Sequence, residues 1–153
     1  MRVLFLDVDG VLAPFSSINR SRADALQANL VRRCGEFVEQ SNCVVCLSST
    51  WRHEVGVGAT VELLRRHWPS APRRIQSSTP VLHATRGQEI AAWLREVDDV
   101  EAFVILDDAR DMAPVADRHV VIDSYVGIQP ADLRKAAAIL RRQLKKFGGA
   151  VRI

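Results

Sequence analysis

Three uninterrupted apolar runs set the frame of this chain: Val3-Leu4-Phe5-Leu6, Cys43-Val44-Val45-Cys46-Leu47 and Phe103-Val104-Ile105-Leu106. Runs this short, with no polar position inside them, read as strands buried on both faces, as in a parallel sheet. A further strand is expected over His119-Val120-Val121-Ile122-Asp123, and a weak one around Ile75. Between the strands, apolar residues recur with helical period. Leu26, Leu30, Cys34, Phe37 and Val38 form one stripe, with Ser21 as N-cap and Asp24 in the first turn. Val61, Leu64 and Trp68 form a second, on a helix from about Ala59 to Trp68 that stops at Pro69. Ile90, Trp93, Leu94 and Val97 follow a capping box made by Thr85 and Gln88. Leu133, Ala137, Leu140 and Leu144 mark a last helix, opened by Pro130 and ended by Gly148-Gly149. This alternation predicts an α/β fold: a three-layer, doubly wound, Rossmann-like sandwich around a mostly parallel five-stranded sheet.

A length of 153 residues suits a single domain over 1–153, and 48% apolar with 25% charged residues is ordinary for a globular chain. No apolar run reaches membrane-spanning length and the N-terminus has no signal-peptide layout, so no membrane partner and a cytoplasmic location are expected. The net charge of +3 permits an anionic substrate without requiring one. Three cysteines do not make a disulfide framework. Cys43 and Cys46 have the C-x-x-C spacing, but on a strand they point to opposite faces, and core packing is expected for both and for Cys34. Arg134, Lys135, Arg141, Arg142, Lys145 and Lys146 line the outer face of the last helix, which reads as a solvated charged face.

The chemistry sits where strands end. Asp7-Val8-Asp9-Gly10 follows the first strand, and ligands of open α/β sheets bind just beyond the carboxyl ends of strands. If the strand continued, positions i and i+2 would put Asp7 and Asp9 on one face. Ser48-Ser49-Thr50-Trp51-Arg52 follows the second strand, and Asp107-Asp108 the strand before the last. Arg86 occupies the first turn of a helix, where a cation is unfavourable to the helix dipole unless an anion lies nearby. His53 and Glu54 lie in a glycine-containing stretch that reads as a mobile loop, and His83 reads as a solvated loop residue.

The string Phe5-Leu6-Asp7-Val8-Asp9-Gly10-Val11-Leu12 resembles the first signature of the haloacid dehalogenase superfamily of aspartate-nucleophile phosphohydrolases. Ser48, Arg86 and Asp107-Asp108 follow in the order of its later motifs. Leu47 to Arg52, the Arg86 to Leu94 helix and Val126-Gly127-Ile128 are similar to a capless subgroup that includes the domain of Swiss Army Knife RNA repair proteins. The connection after Gly10 is too short for a cap. The resemblance implies Asp7 as nucleophile and Asp9 as general acid and base. It further implies Mg²⁺ held by Asp7, the Asp9 carbonyl, Asp107 and Asp108 (with Asp111 next in line). Ser48 (or Ser49) and Arg86 would complete the charge clamp. Arg52, by its own chemistry, either contacts the substrate phosphate or covers apolar surface with its stem. The implied substrate is phosphorylated, with RNA or DNA ends or a small nucleotide or sugar phosphate as the choices. A phosphotransferase, a dehalogenase and a phosphate-end binder without turnover are the rivals. A dehalogenase needs no acids at Asp107-Asp108, and a binder needs no second carboxylate at Asp9.

Overall fold

The computed structural model describes residues 1–17 and 21–148. Asn19 and Arg20 of the expected polar connection, and Gly149 of the expected helix stop, lie outside them. Five strands, β1 (Arg2–Leu6), β2 (Cys43–Leu47), β3 (Ile75–Ser78), β4 (Ala102–Asp107) and β5 (His119–Val121), form one parallel sheet in the order β3-β2-β1-β4-β5. Helices α1 (Arg22–Ala25), α2 (Ala28–Ser41), α3 (Val57–Arg65), α4 (Ala71–Arg74), α5 (Arg86–Glu96) and α6 (Pro130–Gly148) cover it.

Strand alternation divides the core in two. Leu4, Leu6, Val45, Leu47, Val104 and Leu106 face α2, α3 and α6, while Val3, Phe5, Cys46 and Ile105 face α5 through Ile90, Trp93 and Leu94. Phe5 packs edge-on against Trp93 at 5.2 Å between ring centroids. Cys43 and Cys46 fall into different core halves, and all three cysteines are free and buried. Burial pushes the Cys34 and Cys46 thiols up to about 12. The doubly wound sheet is therefore the one its apolar pattern predicts, and no cap is evident among the described residues.

Three local expectations change. The first helix is split, because Leu26 and Gln27 are extended and the Gln27 N–H donates to the Leu12 carbonyl instead of continuing the helix. The stretch after Trp51 is not a loop: a wide helical turn over Arg52–Gly56 runs into α3, so the helix begins before Ala59. The stretch between Pro69 and the weak strand at Ile75, for which no helix is predicted, contains α4 with Pro72 in its first turn, where the missing N–H costs nothing. The capping box at Thr85 and Gln88 forms as expected. On α6 the basic residues are all exposed. Gln143 pairs with both backbone groups of Phe103, near the start of β4, so Lys145 and Lys146 lie toward the sheet edge opposite Asp107.

Candidate active site

Chain order reverses between β1 and β4, and that switch point opens a crevice beyond the strand ends. The backbone ladder runs one residue past each strand: Asp7 N–H donates to Leu106 O and Ser48 N–H to Leu6 O, both at 3.1 Å. Leu6 is in register with Leu47 and Leu106, so Asp7, Ser48 and Asp107 stand side by side. Continuing the alternation from Val3 and Phe5 turns all three toward the α5 face. The first turn of α5 then delivers Arg86, whose Nε lies 3.6 Å from Asp107 Oδ2.

Carboxylate oxygens of Asp7, Asp107 and Asp108 lie within 4.8 Å of one another. Asp7 and Asp107 are buried and Asp108 is half-buried. Burial raises the Asp7 carboxyl well above the ordinary range, and Asp107 pushes it further, while Arg86 and the Val8 N–H pull partly back. Burial also raises Asp107, with Arg86 and the Ala109 N–H opposing it. Val8 N–H and Ala109 N–H each satisfy one oxygen, of Asp7 and Asp107 respectively, at 2.8 Å. Asp107 Oδ2 has no hydrogen-bond donor, and neither Ser48 Oγ nor Arg86 Nη1 has a partner. Only Trp51 Nε1 and Thr79 Oγ1 share that condition among the described residues. Buried polar atoms left unpaired are costly, so their convergence on three acids marks a place built for a ligand. The donor set is all oxygen and in excess of negative charge, which fits a hard divalent cation.

The raised values have a sign that can be measured. In metal-free protein the two acids contribute stability that is fully present below the unfolded carboxylate pKa of about 3.9 and is lost as pH rises through the folded values. Asp107→Asn is therefore expected to gain Tm over the unaltered chain by an amount that grows between about pH 4 and neutrality in EDTA. Thermal melts across that range check it. A Tm difference that stays flat or shrinks contradicts it.

Asp9 does not share the Asp7 face. The chain turns at Val8, whose carbonyl accepts from Val11, Leu12 and Ala13, and the Asp9 carboxylate lies 3.6 Å from Arg22 Nη1. Arg22 also pairs with Glu54 at 2.7 Å, and its guanidinium carbon lies 5.1 Å from the Trp51 ring centroid. Nothing in the sequence marked Arg22, because its partners come from two segments distant from it in the chain, the Asp9 turn and the Trp51 to Glu54 stretch. Gly10, at φ +75°, could not carry a Cβ, which would meet Asp108 Oδ2 at 2.3 Å; this close approach seats Asp108 over the turn.

Ser49 accepts from the Trp51 N–H and shapes the turn after β2, whereas the Ser48 hydroxyl stays unpartnered. Arg52 departs from its expected place at the substrate phosphate. Its five N–H donors go to the carbonyls of Thr79, Ser48, Ser49 and Pro80 and to Glu89 at 2.7 Å, so none is left for a ligand. Asp111 is exposed, accepts from the Arg86 N–H at the start of α5 and is not part of the acid cluster. Glu54 is held by Arg22, and His83 is exposed, as expected of a loop histidine. His119 was not singled out; its Nε2 lies 2.8 Å from the Asp107 carbonyl and braces the end of β4.

No helix among the described residues is long and apolar enough to cross a membrane. Comparison with curated proteins gives no match. The family described as "HAD domain in Swiss Army Knife RNA repair proteins" matches residues 3–133. That span takes in Asp7, Ser48, Arg86 and Asp107 and, but for Arg2 at the start of β1, the five strands, and by it the chain belongs to the HAD domains of Swiss Army Knife RNA repair proteins.

Proposed function

We propose that the chain, as one domain over 1–153, is a Mg²⁺-dependent phosphohydrolase acting in the cytoplasm on phosphate ends of nucleic acid through an aspartyl-phosphate. The carrying observation is the set of unpartnered atoms, Ser48 Oγ, Arg86 Nη1 and Asp107 Oδ2, gathered around Asp7. Two donors and an acceptor-rich acid cluster suit a phosphoryl group together with a cation, and family membership supports the same chemistry.

Asp7 is the nucleophile: a carboxylate oxygen attacks phosphorus and the bond to the leaving oxygen breaks. Asp9 gives that oxygen its proton and then takes one from the water that hydrolyses the aspartyl-phosphate. Its carboxylate lies outside the acid cluster, which leaves it to handle protons rather than bind the cation. Ser48 and Arg86 hold phosphoryl oxygens, and Ser49 and Arg52 fix the β2 tip that carries Ser48. Asp7, Asp107 and Asp108 would hold Mg²⁺, with the Asp9 carbonyl as a further ligand, and the ion would supply charge neutralisation of the phosphoryl oxygens. A site over which the described residues place no cap admits a phosphate attached to a polymer, which favours nucleic-acid ends over an enclosed small molecule.

Phosphate release from an aryl phosphate should need Mg²⁺. Asp107→Ala should raise the Mg²⁺ concentration for half-maximal rate by about tenfold or more, or end turnover, with the fold retained. Titration of rate against Mg²⁺, with circular dichroism as the folding control, tests this. Normal turnover of Asp107→Ala at low Mg²⁺ places the cation elsewhere.

A further inference from the structure

Aromatic side chains in this protein are mostly inside. Phe5, Phe37, Trp51 and Trp68 are buried, and Trp93 and Phe103 pack partly buried against the α5 side of the core. Two described aromatics stand out: Phe15 at 45% and Tyr125 at 65% exposure. Hydrophobic burial does not explain them; Phe15 opens a 3-10 turn, Phe15–Ser17, soon after Asp9, and Tyr125 lies in the turn that follows β5.

The loops are tied together and to the acids. Phe15 N–H donates to the Ser124 carbonyl at 2.8 Å, so the segment after Asp9 runs against the segment after β5. A Cβ at Gly10 would meet both Asp108 Oδ2 and, at 3.0 Å, Ser124 Cβ, which puts Ser124 beside the acid cluster. Ile122 N–H donates to the Asp107 carbonyl. Tyr125 sits in a turn held on both sides: its N–H donates to Asp123 Oδ1 at 3.0 Å, and Gly127 N–H to Asp123 O at 2.9 Å. Gly127 packs so closely on Leu30 and the Val11 carbonyl that a Cβ would come within 2.6 Å of each. Hydrogen-bonded turns thus hold two exposed aromatic residues on adjoining segments next to the acids, with exposed Val121 and Val126 close to Tyr125 in the chain.

We propose that Phe15 and Tyr125 form a stacking platform for an unpaired nucleobase next to the terminal phosphate of a nucleic-acid strand. The inference rests on the phosphohydrolase reading of the adjacent site and names the part of the substrate that reading leaves open. Apart from the Tyr125 hydroxyl, an aromatic and valine surface has no hydrogen-bonding group for a sugar, whereas every base has a face that stacks on an aromatic ring without regard to sequence. Arg86, whose Nη1 is unpartnered, suits the terminal phosphate beside such a base.

The test compares kcat/KM for two oligonucleotides that end in the same phosphate, one with its terminal base and one abasic there. The unaltered chain should prefer the base-bearing end by roughly 5- to 150-fold, the range of one base–aromatic stack. Phe15→Ala and Tyr125→Ala should each move that ratio toward one, and Tyr125→Phe should keep it. A ratio near one in the unaltered chain, a ratio that neither alanine variant lowers, or faster turnover of phosphopeptides than of either oligonucleotide overturns the platform. Should no phosphate be released from any substrate, the hydrolytic reading fails separately. Fluorescence anisotropy of the same two oligonucleotides with the Asp7→Asn protein then reads the base preference and its loss in the alanine variants.

Discussion

Asp7→Asn should abolish phosphate release, with a fall on the order of 10⁴-fold or more, while the protein stays folded. The change keeps the size of the side chain and the carbonyl oxygen that accepts from Val8 N–H, so packing at the end of β1 survives. It removes the anionic oxygen that attacks phosphorus, and no other carboxylate in the cluster stands in register with Ser48 and between β2 and β4. Because burial disfavours the charged form of Asp7, the variant should also melt no lower than the unaltered chain at neutral pH without metal. Phosphate assays and thermal melts on the same preparation give both numbers. Retained turnover would remove Asp7 from the mechanism, and a collapsed fold would make the activity loss uninformative, which the melt decides.

Arg52→Ala should have the largest effect on stability, about 3–5 kcal/mol, because it leaves Glu89 as a buried charge without its partner. Both side chains of this pair are almost wholly enclosed, at 4% and 8% exposure. The same guanidinium satisfies four carbonyls at the tip of β2 and in the segment after β3, so its loss also frees the loop that carries Ser48. Arg52→Lys should recover little, since one ammonium cannot reproduce five donors in a fixed fork. Denaturant unfolding measures the loss. If Arg52→Ala unfolds like the unaltered chain but loses affinity for phosphate, the residue faces substrate after all.

The strands, the doubly wound fold and the presence of acids at the ends of β1 and β4 were legible because their signals are local. Val3 to Leu6 has only apolar positions, so β1 had to be buried on both faces, and Asp7 had to appear where it leaves the sheet. Arg86 was visible as a cation at the wrong end of a helix, a misfit that Asp107 relieves at 3.6 Å. Asp9 misled through the same local logic. Period-two reasoning holds only while the strand lasts, and the turn at Val8 ends it one residue too soon. Arg52 and Arg22 could not be sorted from sequence at all. One is enclosed by carbonyls from two loops and the other exposed beside Asp9, a difference made entirely by residues distant in the chain. The break between α1 and α2 has a similar cause, a single tertiary hydrogen bond from Gln27 to Leu12.

The most direct test of the account is to stop the reaction in acid during turnover and find the phosphoryl group on the protein. The expected result is one phosphoryl group per chain, released by hydroxylamine as an acyl phosphate should be and mapped by peptide mass spectrometry to Asp7. Its accumulation should require Mg²⁺ and be absent in Asp7→Asn. A phosphoryl group on Ser48 or on any other residue, or turnover with no covalent species under conditions that slow its hydrolysis, would contradict the account.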